Sequence, residues 1–267
     1  MQLLTPLVPD PAAPLARANP VAKLAAALVL LVALFASLDH VTALVILAGL
    51  AIALGMSGLS PSALASRAWL VALAAVSIAV FNVVFAAEQV GPTAVSLGPL
   101  RIGAGTLVDG LGLALRLLAI AGAGILATAT TQPTELAHAL VQQLRVSPRF
   151  AIGALAAVRL LPLLAQEWQT LSMARRARGV DSGRNPVAAV RLFAGQLMAL
   201  LVGAIRRGTR MAAAMEARGF GAQDCRTVAR PQRMTAGDWG WIAAAAALAA
   251  VAIGVSLALG TWRPLIG

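Results

Sequence analysis

The chain has 267 residues, 60% of them hydrophobic and only 12% charged, with a mean hydropathy of +0.84. A soluble domain of this length cannot bury that much apolar surface, so the composition points to the bilayer and excludes a disordered chain. Cys225 is the single cysteine, which excludes a disulfide scaffold. The net charge of +11 would suggest nucleic acid on a soluble protein, but its position says otherwise. From Arg145 to Arg233 there are fifteen arginines against four acids (Glu167, Asp181, Glu216, Asp224), so one third of the chain carries the whole net charge. The positive-inside rule assigns that third to the cytoplasm.

Residues 1–20 hold five prolines and are expected to form an extended cytoplasmic leader without a signal-peptide pattern. Lys23 opens an apolar run to Met56, broken only by Asp39-His40. One helix of that length would overshoot the roughly 30 Å hydrocarbon core, so the run predicts two spans, about 22–38 and 41–57, turning at Asp39-His40. His40 reads as a turn residue at the interface. Gly58 to Ser66 is expected to be a loop, with Arg67 on its cytoplasmic side. A third span covers 68–87, an external loop 88–105 and a fourth span 107–130. Arg116 lies inside that fourth span, where it is either functional or paired, or snorkels to the near interface.

Thr130-Thr131-Gln132-Pro133-Thr134-Glu135 is a helix-start signal, with threonine as cap candidate. Leu136, Leu140 and Leu144 then recur every four residues, predicting a short amphipathic helix suited to the interface. Ser147-Pro148 ends it. Two long helices follow, about 149–178 and 187–218, each apolar first and arginine-rich later. Pro162 should kink the first, because its ring removes a donor and clashes with the preceding turn. The last span is about 239–260, with Trp239, Trp241 and Trp262 as interfacial anchors. The expected fold is an all-α integral membrane protein with about five transmembrane helices, a short amphipathic helix and two long cytoplasmic helices. Its regions are 1–130 (leader and four spans), 131–235 (cytoplasmic or interfacial helices) and 236–267 (the C-terminal span).

Both long helices close on the same tripeptide: Ala177-Arg178-Gly179 and Ala217-Arg218-Gly219, forty residues apart. Glycine beyond a last turn takes the left-handed conformation at little cost, and arginine suits the negative end of the helix dipole. The pattern presents one guanidinium at each helix tip. Ordinary capping and docking onto a partner both fit the spacing alone.

Taken in order, these pieces resemble the transmembrane T component of energy-coupling factor (ECF) transporters, the group that includes the cobalt- and biotin-transporter T subunits. Asn19-Pro20-Val21-Ala22-Lys23-Leu24 is similar to the start of that family's first span. The segment Thr130 to Leu136 is similar to its first coupling helix. Arg159 to Leu164, Glu167 and Ala174 to Gly179 resemble its second coupling helix and first signature. Ala214 to Phe220 resembles its second signature. The resemblance implies a non-enzymatic scaffold in a prokaryotic cell membrane, needing no cofactor, metal or nucleic acid. It would join two cytoplasmic ABC-type ATPases to a membrane-embedded substrate-binding S component, for uptake of a vitamin or a transition-metal ion. It also implies that Arg178 and Arg218 insert into grooves on the two ATPases.

Two other function classes are weighed against this. An integral membrane enzyme acting on phosphorylated lipid could use the arginines, but such chemistry wants grouped acids, and the four acids here are scattered. A channel or carrier would want polar residues deep in several spans, and only Arg116 comes close. No phosphate-cradling glycine loop is present, so ATP hydrolysis would belong to partners.

Overall fold

The computed structural model describes residues 13–59, 61–86, 92–97, 100–180, 183, 185–220 and 231–262. Cys225, Gly98-Pro99, most of the proline leader and the basic stretch 221–230 lie outside the described residues. The helices are α1 (Pro14–Arg17), α2 (Pro20–Ala36), α3 (His40–Gly55), α4 (Pro61–Phe85), α5 (Ala104–Ala129), α6 (Pro133–Gln143), α7 (Pro148–Ala177), α8 (Pro186–Ala217) and α9 (Ala236–Ala258). Between α4 and α5 lie two short antiparallel strands, β1 (Thr93–Leu97) and β2 (Leu100–Gly103). The protein is an all-α membrane protein with this one hairpin added. The expected loop at 88–105 therefore contains paired backbone. Its alternation Thr-Ala-Val-Ser-Leu is a weak strand signal that the flanking Gly-Pro pairs overshadow.

Two compact units form: Met1–Ala139 with Gln232–Gly267, and Leu140–Pro231. In the first, α5 packs against α2, α3 and α4, while α9 packs on α2 and α3. Leu30, Ala33 and Leu34 of α2 meet Ala43 and Ile46 of α3, Ala119 of α5, and Ala245, Ala249 and Ala252 of α9. The small side chains let the backbones approach, as membrane helix packing requires. Gly49 shows how close: a Cβ there would run into the Leu248 side chain. Large apolar side chains cover the outer faces, including Trp69, Leu70, Leu73, Val76, Val80 and Phe81 on α4. That is the pattern of a surface solvated by lipid.

Among the described residues, five helices are long and apolar enough to cross a membrane: α4 over Ala68–Phe85, α5, α7, α8 and α9. The count matches the expectation, but the membership differs. The first two expected spans are helices of 17 and 16 residues, about 25 Å each. They are short because Ser37-Leu38-Asp39 stops one and caps the next. They still share the core with α5 and α9. α4 starts at Pro61, so most of the loop expected at 58–66 is helix.

Two local expectations need correction. The leader is not extended throughout: residues 14–17 are helical, and Leu15 packs with Leu59, Leu126 and Ala129. Thr130 and Thr131 do not start α6. Their hydroxyls donate back to Leu126 O (2.8 Å) and Ala127 O (2.7 Å), so they finish α5. In α6 the buried positions are Ala137 and Ala139, while Leu144 lies beyond the helix and is exposed.

Arg116 has a structural task. Its Nη2–H donates to Leu34 O, one of the last carbonyls of α2, which lack an intrahelical donor. The guanidinium also lies 5.7 Å from the Phe35 ring centroid, within cation–π range. α5 thus caps α2.

Asp39 is the N-cap of α3, accepting from Thr42 N (2.8 Å) and Thr42 Oγ1 (3.0 Å), and from the Ser37 hydroxyl. Burial pushes its carboxyl up, but hydrogen bonds from Ser37, Ser256 and Thr42 outweigh burial and hold it below the ordinary carboxylate value. A group with a depressed folded pKa stabilises the fold fully above the unfolded value. That stabilisation is lost as the pH falls below about 4. Asp39→Ala is expected to destabilise the bundle by about 1–2 kcal/mol at neutral pH. The melting difference from the parental chain in detergent should shrink on acidification. A constant difference from pH 7 down to pH 3 would contradict the assignment.

Candidate functional site

The second unit is built around α7 and α8. Pro148 stands at the first position of α7, and α7 runs unbroken through Pro162. Asn185 caps α8, accepting from Val187 N (3.0 Å) and Ala188 N (3.3 Å), with Pro186 following. The two helices run antiparallel where they touch. Arg175, late in α7, donates to Leu192 O, early in α8 (2.8 Å). The buried Gln196 donates to Trp168 O (2.8 Å), and the Trp168 and Phe193 rings lie 5.2 Å apart. Arg207 and Glu167 form an ion pair at 3.0 Å. Both of its partners are more than a third exposed, so it is worth well under about 1 kcal/mol. A Cβ at Gly203 would lie 3.5 Å from Glu167 Oε1, so the backbone of α8 passes close to α7 there. These three polar fastenings are each only part-buried.

The start of α7 (Arg149, Ile152, Ala156) and the end of α8 (Met211, Met215), with Phe220 just past it, line a groove of about 670 Å³. The tip of α8 therefore neighbours the start of α7. The tip of α7 lies at the opposite end of the pair, up to about 45 Å away by helix rise.

The two tips share one geometry. At the end of α7, Gly179 N donates to Arg176 O (2.9 Å) and Val180 N to Arg175 O (3.0 Å). At the end of α8, Gly219 N donates to Glu216 O (2.9 Å) and Phe220 N to Met215 O (3.0 Å). These are the paired bonds of a Schellman cap, with glycine at the left-handed position. The φ values are +73° at Gly179 and +79° at Gly219. Arg178 and Arg218 are the C-cap residues, with near-identical backbones (φ −87°, ψ 8° and φ −88°, ψ 9°). Both side chains are exposed, and among the described residues neither makes a hydrogen bond or ion pair. Ala177 and Ala217 are the last residues of α7 and α8. The six residues of the two tripeptides thus form two copies of one exposed, locally fixed arginine.

Residues 11–227 match the profile of a family described as cobalt transport protein, CbiQ. The chain belongs to this family. It is also 34% identical over 159 residues to the energy-coupling factor transporter transmembrane protein EcfT of Heliobacterium modesticaldum, covering 56% of this chain and 59% of that protein. The EcfT of Bacillus subtilis is 31% identical over 169 residues, covering 60% of this chain and 64% of that protein. The matched part spans about six tenths of the length of these relatives. Family membership and the apolar helices together make the chain a multi-pass membrane protein of the CbiQ family.

Within this CbiQ-family chain, sequence reasoning missed the fastenings between α7 and α8. Arg175, a turn before the tip, ties α7 to Leu192. Arg207 carried no signal, because its partner Glu167 is 40 residues away. Gln196, a glutamine in an otherwise apolar turn, was the one available hint, although its partner is 28 residues away.

Proposed function

We propose that this chain is the coupling scaffold of an ECF-type importer, joining two cytoplasmic ABC-type ATPases to a substrate-binding S component. The segment 131–235, cytoplasmic or interfacial, carries the ATPase contacts. The observation that supports this most is the pair of like-capped arginines at opposite ends of one antiparallel helix pair. Two equivalent grooves on an ATPase dimer require two equivalent, well-separated plugs. The planar guanidinium fork suits carboxylates and carbonyls in such grooves. Polar, part-buried fastenings between α7 and α8 let the pair scissor when the ATPases close. Pro162, which removes one backbone donor from α7, supplies the bend. The cargo is a vitamin or a transition-metal ion, selected by the S component. The family description and the names of the relatives support this reading.

Vesicles holding the purified chain alone are expected to show leak-level uptake and no ATP hydrolysis. Adding the cognate ATPases and S component should yield saturable, ATP-dependent uptake. Saturable ATP-driven uptake by the chain alone would sink the scaffold reading.

A further inference from the structure

Lys23 lies in the first turn of α2 and is only 4% exposed. Its Nζ donates to Ala16 O (3.1 Å) in α1 and to Thr130 O (2.8 Å) at the end of α5. There the ammonium meets the negative end of the α5 dipole. The carboxylates of Glu135 in α6 and Asp238 in α9 act on the same ammonium through space. Asp238 accepts from Asn19 N (2.6 Å) and closes a capping box with Thr235, whose N and Oγ1 each donate to Oδ2 at 2.8 Å. Asn19 in turn caps α2 through Val21 N (2.9 Å).

Four chain segments are joined here: α1, the start of α2 and the end of α5 through the ammonium itself, and the start of α9 through Asn19, which binds Asp238. The end of α5 and the start of α9 are the attachment strands of the second unit. The chain leaves α5 at Thr130 to reach Leu140–Pro231, and it returns at Gln232, three residues before Thr235. Cohesion alone would not call for a charge here. The surroundings include Ala26, Leu30, Leu126 and Trp241, where an apolar side chain would pack. Desolvating an ammonium costs several kcal/mol unless its hydrogen bonds are made in one good geometry. A node of this kind tolerates a single arrangement of its strands, which an oily contact does not enforce.

We propose that Lys23 is a positioning residue that locks both attachment strands to the membrane bundle, so that movement of the arginine tips reaches the bundle instead of being absorbed in the joints. The proposal rests on the coupling role given above. The test uses the complete importer in vesicles, with the parental chain, Lys23→Met, Lys23→Arg and the milder Asp238→Asn. Lys23→Met should retain ATPase binding yet raise the ATP hydrolysed per solute imported by about fivefold or more. Lys23→Arg should lie between it and the parental chain, and Asp238→Asn should shift the ratio in the same direction. Amide hydrogen exchange at Asn19 and Thr235, measured on the chain by itself, should speed up in Lys23→Met. An unchanged ratio would overturn the proposal. So would a loss of uptake in strict proportion to ATPase binding in both Lys23→Met and Asp238→Asn, which is what a merely structural role gives. If the parental chain binds no ATPase, the coupling reading fails separately. Exchange then decides the node, and unchanged rates at Asn19 and Thr235 reject it.

Discussion

Replacing Arg178 and Arg218 together by alanine is expected to abolish co-purification of the ATPases and to bring ATP-driven uptake to background. Truncating one buried charge-assisted contact at an interface costs about 2–5 kcal/mol, or roughly 30-fold or more in affinity. Either single variant should therefore weaken assembly measurably. The double variant should be far worse, because two tips gripping one dimer reinforce each other through effective concentration. Lysine should rescue only in part, since it keeps the charge and loses the planar fork. Arg175→Ala should behave differently. Its guanidinium is bonded to Leu192 O, so its loss should loosen α7 from α8 without removing a plug. Parental pull-down and transport by the double alanine variant would reduce both arginines to plain helix caps.

The second large effect is expected from Gly179→Val with Gly219→Val, which leaves every charge in place. Nothing lies within 4 Å of a Cβ built at either glycine, so no clash is involved. The cost is in the backbone: both residues sit at positive φ, where an L-residue costs about 1–2 kcal/mol and a β-branched one more. The caps should unwind and the arginines lose their aim, lowering ATPase binding nearly as far as the single Arg→Ala changes do. Gly→Asn at the same positions should be tolerated, because asparagine visits the left-handed region. Equal pull-down by the valine and asparagine variants would show that the cap geometry is irrelevant.

The helix tips were legible in the sequence because their structure is local. Ala-Arg-Gly after a long amphipathic run contains the whole cap: donors and acceptors lie within five residues of each other. The hairpin turn at Asp39-His40 was legible for the same reason, since an N-cap is written in adjacent residues. What was not legible depends on partners far away in the chain. Arg116 admitted two readings until Leu34, 82 residues earlier, was placed beside it. The threonines at 130–131 satisfy the rule for a helix start and the rule for a helix end alike. Only the continuation of α5 to Ala129 decides between them. Lys23 looked like the opening residue of a span, because nothing adjacent announces that Thr130 O, 107 residues on, accepts from it.

The bond between Asn19 and Asp238 spans 219 residues, and this has a consequence for biosynthesis. At roughly 5–20 residues per second, α9 is synthesised about 10–40 s after α2. Throughout that interval Asn19 N–H has no Asp238 to receive it, and the face of α2 meant for the alanines of α9 is open to lipid. The membrane bundle is thus the last part of the molecule to be completed, although it contains the first helices made. A chain halted between Phe220 and Thr235 has the residues of both helix caps but lacks α9, so its bundle stays unclosed and Lys23 is short of one of the carboxylates that act on it.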